Sequence, residues 1–374
     1  MSTDFRPIGY LDADSPEAAH LTEVLEEGSD LDLPPSRSLN DKKPYWVGSE
    51  GHVGRTSASG PTRVMRLKDA SVLVAEGSIC VMTKEKFVVR RLSDTNTDSG
   101  CGPSLMNRGI PAPETHLPGT TLVPMGRYWR DNYWHFTTGV YALLLLAKRR
   151  NLFETDAISR ILIPHFTREV FGEMLRLCNL PPPERLELVF MAEGGHVTCE
   201  NLVAIGNNTG DEHCIPEWKR NLVRTVFMRH RANVPVSPLK KIIVVRRNAG
   251  RGFKDQDMVM RISSEMGYNP VDLEGMTFLE QAALFYGATH IIAVHGSALT
   301  NLFYAQEGAR VMEVFNPFYV VDYFTTIAAR NTVSHYTLVG NGPKPNTRIF
   351  TRSNDPIALD EAAFSSAIER FELV

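Results

Sequence analysis

Four short stretches carry residues that handle protons or negative charge. The first is His295-Gly296-Ser297-Ala298-Leu299-Thr300-Asn301. It lies between a strand-like run, Thr289–Val294, and a helix-like run, Leu299–Tyr304. A strand, a glycine turn and a helix start leave backbone amides and a positive dipole end at one point, which suits an anion such as a phosphate. The bland alternative is a buried histidine on a tight turn, with Thr300 and Asn301 bonded back within their own helix. The second stretch is Arg246-Arg247-Asn248-Ala249-Gly250-Arg251-Gly252, directly after an apolar strand. Arginine at that edge meets a diphosphate through paired N–H donors. Arg246 and Arg251 fit this role, whereas Arg247 reads as solvated. The third is Glu313 within Val311-Met312-Glu313-Val314-Phe315. A carboxylate in an apolar strand needs a partner, and either ribose hydroxyls or a structural arginine would serve. The fourth is Arg130-Asp131-Asn132-Tyr133-Trp134-His135-Phe136. Aromatic faces beside polar groups suit a sugar, and His135 suits a general base near neutral pH. Equally, Asp131 or Asn132 caps a helix whose aromatics are core.

Other chemistries find little support. Gly250-Arg251-Gly252-Phe253-Lys254-Asp255 is a poor dinucleotide fingerprint, because aspartate stands at the third glycine. The acidic pairs Asp12/Asp14, Asp30/Asp32 and Asp255/Asp257 do not follow an apolar strand, and Asp255 reads as a helix cap. Zinc-protease, serine-hydrolase and P-loop signatures are missing from the sequence. Five scattered cysteines without a C-x-x-C pair read as free thiols of a reducing compartment. Asn207-Asn208-Thr209 fits a glycosylation sequon of the kind that also arises by chance.

These residues must be held by a scaffold that 374 residues can build, and that length favours two domains. A net charge of −3 argues against a general nucleic-acid binder. No signal peptide is readable, and Tyr141–Ala147 is too short to span a bilayer. The expectation is a cytoplasmic protein, compatible with peripheral membrane association. Residues 1–41 read as a weakly ordered lead with a helix at Ser15–Glu27. Short β-type runs between Val64 and Arg91 read as a small meander, and Asp94–Gly119 as a long loop. Tyr128–Lys148 reads as a helix. Strands then alternate with helices, and the Pro-containing stretch Ala232–Pro238 marks a break. The expected layout is therefore an acceptor-side domain over 42–231 and an α/β domain over 239–374. The last helix, Glu361–Leu373, is expected to pack back on the first domain. Alternating strands and helices imply a parallel sheet that binds ligands beyond its strands' C-terminal ends.

The ordered set Lys241–Arg247, Phe278–Gln281, Gly287–Phe303 and Val311–Val314 resembles glycosyltransferase family 61. The resemblance runs from about Tyr128 to Pro317. It implies an α/β fold of the GT-B type, with two Rossmann-like domains facing a cleft. It also implies inverting transfer of a hexose or pentose from a nucleotide sugar, of the UDP-sugar kind, to a hydroxyl of a glycan acceptor. No metal or other cofactor is implied, and synthesis of capsular or surface polysaccharide is the expected setting. On this resemblance His295, Gly296 and Ser297 hold the donor diphosphate, and Arg246 and Arg251 neutralise it. Thr300 and Asn301 contact phosphate or sugar, Glu313 binds the ribose, and Gln281 orients His295 or meets the donor. The acceptor's base is His135, with Asp131 second. The sequence departs from the family pattern in three places. Phe136 and Gly139 replace the pattern's Trp and acidic residue after His135. Arg251–Gln256 is a degraded form of an Arg-x-Ile-x-Asn-Glu run. Ser297 replaces a commoner alanine. The missing acidic residue keeps a second reading in view: a non-catalytic nucleotide- or glycan-binding protein on the same scaffold.

Overall fold

The computed structural model describes residues 7–34, 37–40, 56–75, 77–90, 92, 110–126, 131–206, 214–246, 251–342 and 352–373. Arg130, Arg247, Cys101, the Asn207–Thr209 sequon and most of the expected 94–119 loop lie outside these residues. The chain divides into two units. The first gathers Met1–Ser29, Ala58–Asp211 and Asn221–Val223; the second gathers Asp30–Ser57, Glu212–Arg220 and Arg224–Val374.

The first unit is built on one nine-stranded mixed sheet. Its strands are β1 (Gly9–Asp12), β2 (Thr22–Glu26), β6 (Thr62–Ala75), β7 (Ser78–Met82), β8 (Phe87–Arg90), β9 (Thr115–Met125), β10 (Ile158–Pro164), β11 (Glu187–Met191) and β12 (His196–Gly206). The described part of the lead is thus structured, and a 3₁₀ turn (Pro16–Ala18) followed by strand β2 stands where a helix was expected. The expected meander runs into this larger sheet. β6 is a single long strand that pairs β7 on one side and β12 on the other, so the sheet continues as β12-β9-β10-β11. β9 is the least obvious member, since Pro118, Gly119 and Pro124 suggest a loop. Its pairing to β12 shifts register between Cys199 and Asn201, and Gly119 sits there at φ +74. A bulge of this kind admits residues that break a regular ladder.

The second unit holds a six-stranded parallel sheet. Its strands are β13 (Lys241–Val245), β14 (Asn269–Asp272), β15 (His290–Val294), β16 (Arg310–Phe315) and β17 (Ser334–Val339), in the order β14-β13-β15-β16-β17, with β4 (Arg37–Ser38) added beside β17. One face carries Ile243, Val245, Ile292, Val294, Met312, Val314, Tyr336 and Leu338. Helices Gln256–Glu265 and Glu361–Leu373 cover it with Val259, Ile262, Phe364, Ile368 and Phe371. The last helix is therefore part of this unit's own core. Leucine- and phenylalanine-sized side chains buried this way contribute about 1.5–3 kcal/mol each. Helix Tyr323–Arg330 packs on β17 from the remaining side and on the 3₁₀ helix Ser297–Phe303.

Candidate active site

Strand order fixes where a ligand can enter. Counted within the second unit, the strands run 2-1-3-4-5, so the order reverses between β13 and β15. A crevice opens beyond the strand ends at such a reversal. Val244 pairs with Ala293, so Arg246 and His295, each two residues further on, leave the sheet side by side on one face. The fold thus brings two separately chosen residues to one point.

Gly296 makes that approach close. A Cβ there would collide with Nη2 of Arg246 and lie 2.9 Å from its Cζ. The Arg246 guanidinium therefore rests on the bare glycine. Arg251 reaches the same point. Its Nη1 donates to the His295 carbonyl at 3.4 Å and its Nε to the Ser353 carbonyl at 2.9 Å, and its guanidinium lies over the Tyr319 ring at 4.9 Å. Burial lowers its affinity for its proton from the ordinary arginine value, but an arginine stays charged in any accessible range. Ser297, half-buried, opens a seven-residue 3₁₀ helix rather than the expected α-helix.

His295 is enclosed. Phe315 stacks on its ring at 5.2 Å, and Tyr319, Tyr323 and Phe324 surround it at 5.3–6.4 Å. Its Nδ1 lies 2.5 Å from Oε1 of Glu313, and Glu313 Oε2 lies 2.7 Å from Nε2 of His335. Glu313 has no exposed surface. The structure gives it two histidines in place of the expected ribose or arginine: both carboxylate oxygens are already engaged inside the protein. Burial opposes its charge, yet the two imidazole donors more than offset this and hold its pKa below the ordinary value. Burial lowers the pKa of His295, outweighing Glu313, and Arg251 and Arg246 push the same way. The stable arrangement is an ionised carboxylate accepting from the neutral ring of His295 and from His335. Because an ionised carboxylate only accepts, His295 carries its hydrogen on Nδ1 and His335 carries its own on Nε2.

Sequence reasoning overlooked His335, although register reveals it. Ala293, Glu313 and Thr337 are side-by-side partners. His295 lies two residues beyond Ala293 and His335 two before Thr337, so both share the Glu313 face. A lone acid on an apolar strand, with histidines two residues off register on both neighbours, was the available signal.

Gln281, Thr300 and Asn301 sit behind this layer, fully or almost fully buried. Asn301 Nδ2 donates to Gln281 Oε1 at 3.2 Å and to the Ala298 carbonyl at 3.1 Å. Gln281 Nε2 in turn donates to the Met276 carbonyl at 3.1 Å. Gln281 thus holds Asn301, not His295, and the pair ties the 3₁₀ helix to helix Phe278–Gly287. At the other end of that 3₁₀ helix, Arg224 Nη1 donates to the carbonyls of Phe303 and Ala305 at 2.9 and 2.8 Å.

In the first unit, His135 is half-buried in the first helical turn. Asn132 is the cap, its Oδ1 accepting from the amides of Trp134 (2.9 Å) and His135 (3.3 Å). Exposed Asp131 accepts instead from the Thr167 hydroxyl and amide, at 2.5 and 3.1 Å. The helix continues as a π turn, Phe136–Tyr141, before Ala142–Arg149. Gly139 lies in that turn, where a Cβ would stand 2.9 Å from the Cα of Gly126. The contact is reciprocal, so no acidic side chain fits at Gly139 without moving backbone. Among the described residues no cluster of His, Cys, Asp and Glu is arranged to hold a metal ion. The described cysteines, Cys80, Cys178, Cys199 and Cys214, are buried and form no disulfide, and burial pushes the Cys199 thiol up to about 11. No helix among the described residues is long and apolar enough to cross a membrane.

No curated protein matches the chain. Residues 133–312 match the family model described as Glycosyltransferase 61, a span that opens on the helix of His135 and closes one residue before Glu313. The match over that span supports membership of glycosyltransferase family 61.

Proposed function

We propose that the protein is an inverting, metal-independent glycosyltransferase. It moves a hexose or pentose from a nucleotide sugar, of the UDP-sugar kind, to a hydroxyl of a glycan acceptor during synthesis of a capsular or surface polysaccharide. One observation carries this reading: Arg246, Arg251, His295 and Gly296 converge where the strand order of a doubly wound sheet reverses, within a segment matched to a glycosyltransferase family. We read the two units as the halves of a GT-B enzyme working in the cytoplasm.

Transfer with inversion needs a leaving group stabilised on one side and a hydroxyl deprotonated on the other. Negative charge grows on the diphosphate as the glycosidic bond breaks. Two guanidinium groups placed beforehand stabilise that charge more than they stabilise the intact donor, which is the condition for lowering the barrier. The amides of Gly296 and Ser297 add donors at the same point. His135 takes the proton of the acceptor hydroxyl, and Asp131, held by Thr167, positions the segment before it. With arginines bearing the charge, the reaction has no need of a cation.

Titration with a panel of nucleotide sugars, followed by donor hydrolysis, tests this. A donor should bind, and Arg246→Ala should weaken it by about 10–100-fold, a loss of about 1.5–3 kcal/mol. The reading fails if no nucleotide sugar binds. Gly139 favours a second reading, a binding protein without catalysis, because the packing on Gly126 excludes an acid there. His135→Ala separates the two: loss of turnover with donor affinity kept identifies an enzyme.

A further inference from the structure

We propose that His335 is a positioning residue that acts on His295 through the shared carboxylate of Glu313. This deepens the donor-site reading above and rests on it for the ligand. The three side chains form a continuous chain of contacts, 2.5 Å from His295 Nδ1 to Oε1 and 2.7 Å from Oε2 to His335 Nε2. All three are buried, Glu313 completely. Glu313 and His335 stand on adjacent parallel strands, and His295 directly follows a third with its N–H bonded to the Val314 carbonyl at 2.9 Å, so their spacing is set by backbone register. His335 lies outside the span matched to the family.

The geometry decides what each atom does. With Glu313 committed on both oxygens, it fixes His295 in the Nδ1–H form and leaves Nε2 as the nitrogen not committed to Glu313. That nitrogen carries no hydrogen while the ring is neutral and gains one when the ring becomes imidazolium. The charge of His295 then depends on how strongly Glu313 is already neutralised, and His335 supplies half of its donors. The other charged or titratable groups facing His295 are Arg246 and Arg251, which disfavour a proton there, and the rings of Tyr319 and Tyr323. A bound diphosphate would reverse the effect of the two arginines and draw a proton to Nε2. His335 therefore sets the pH at which His295 can add a third positive charge to the site.

Imidazole ¹⁵N spectra of ligand-free protein read the tautomer and titration of His295 directly, and UDP, GDP and CDP titrations from pH 5.5 to 8.5 read the effect on anion binding. His335→Gln keeps an N–H for Glu313, whereas His335→Asn is too short to reach it and His335→Leu has no donor. In the native protein His295 should be the Nδ1–H tautomer. Losing the donor leaves Glu313 less neutralised, so His335→Asn and His335→Leu should raise the His295 midpoint by about one pH unit. The pH profile of nucleotide affinity should move with it, and His335→Gln should stay near the native profile. The Asn variant keeps the test open if the Leu variant does not fold. An Nε2–H tautomer, unchanged titration in His335→Asn, or an equal shift in His335→Gln would overturn the relay. If none of the three nucleotides binds while the spectra behave as expected, the donor reading falls and the relay stands.

Discussion

At Gly296 a hydrogen atom decides where a guanidinium can rest. Gly296→Ala should push Arg246 off the turn and weaken nucleotide binding by about tenfold, or about 1.4 kcal/mol. Calorimetric titration of a nucleoside diphosphate, beside a melting curve near that of the native protein, checks this. The His295–Glu313–His335 group makes a separate prediction about pH. Folding holds the His295 pKa below its ordinary value. The unfolded chain therefore binds a proton that the folded chain refuses, and stability falls as pH drops through about 6.5. Glu313 acts lower: its pKa is also depressed, so the stability it contributes is full above its ordinary 4.5 and disappears as pH falls through the folded value. Urea unfolding at pH 8, 6, 5 and 3.5 should show a loss that sets in below about 6.5 and continues below about 4.5. Glu313→Gln, which removes the buried charge, should flatten the lower part of that loss; an unchanged profile would contradict the assignment. Glu313→Ala should cost about 3–5 kcal/mol, because two buried imidazoles lose their acceptor.

The π turn Phe136–Tyr141 explains at the level of the element why the segment after His135 departs from the family's pattern. Its Gly139 packs Cα to backbone against Gly126, so the position serves close approach rather than proton transfer. Gly139→Glu should therefore destabilise the first unit by about 1–3 kcal/mol through overpacking and should not raise turnover. Denaturant melts and initial rates on one preparation test both halves. Elements with unmixed patterns were legible in the chain. Lys241–Val245, His290–Val294 and Glu361–Leu373 fall on the residues their apolar spacing indicates, because buried parallel strands and an amphipathic helix leave plain signatures. β9 was not legible, since Pro118 and Gly119 obey the bulge rather than the ladder and Pro124 reads as a break although it pairs in register with Ile205. The lead read as weakly ordered because strands β1 and β2 draw their support from distant β8 and β6. In the site, Arg246 and His295 were visible as ends of strands. Asn301 and Gln281 looked like ligand contacts because spacing cannot show that they bond to each other. His335 was hidden by belonging to a strand whose register the sequence does not state.

On the scale of the whole molecule, the charge logic predicts indifference to chelators. With Arg246 and Arg251 at the turn and Glu313 spent on histidines, turnover should stay within about twofold when EDTA is added, since no divalent ion is needed to offset the diphosphate. Strict dependence on added magnesium or manganese would reverse that assignment. A second prediction concerns integrity. Residues 239–374 expressed alone would lack Arg224, which holds the end of the 3₁₀ helix, and β4, which pairs with β17. Such a piece should melt at least 5–10 °C lower or stay partly unfolded, as circular dichroism would show. The small strand Arg37–Ser38 has one more consequence. It bonds to Tyr336 and Thr337, about three hundred positions later in the chain. On the ribosome those two early residues emerge long before their partner exists. The second sheet can close only after Tyr336 and Thr337 have been made, so its completion waits on the synthesis of the intervening chain rather than on the speed of local folding.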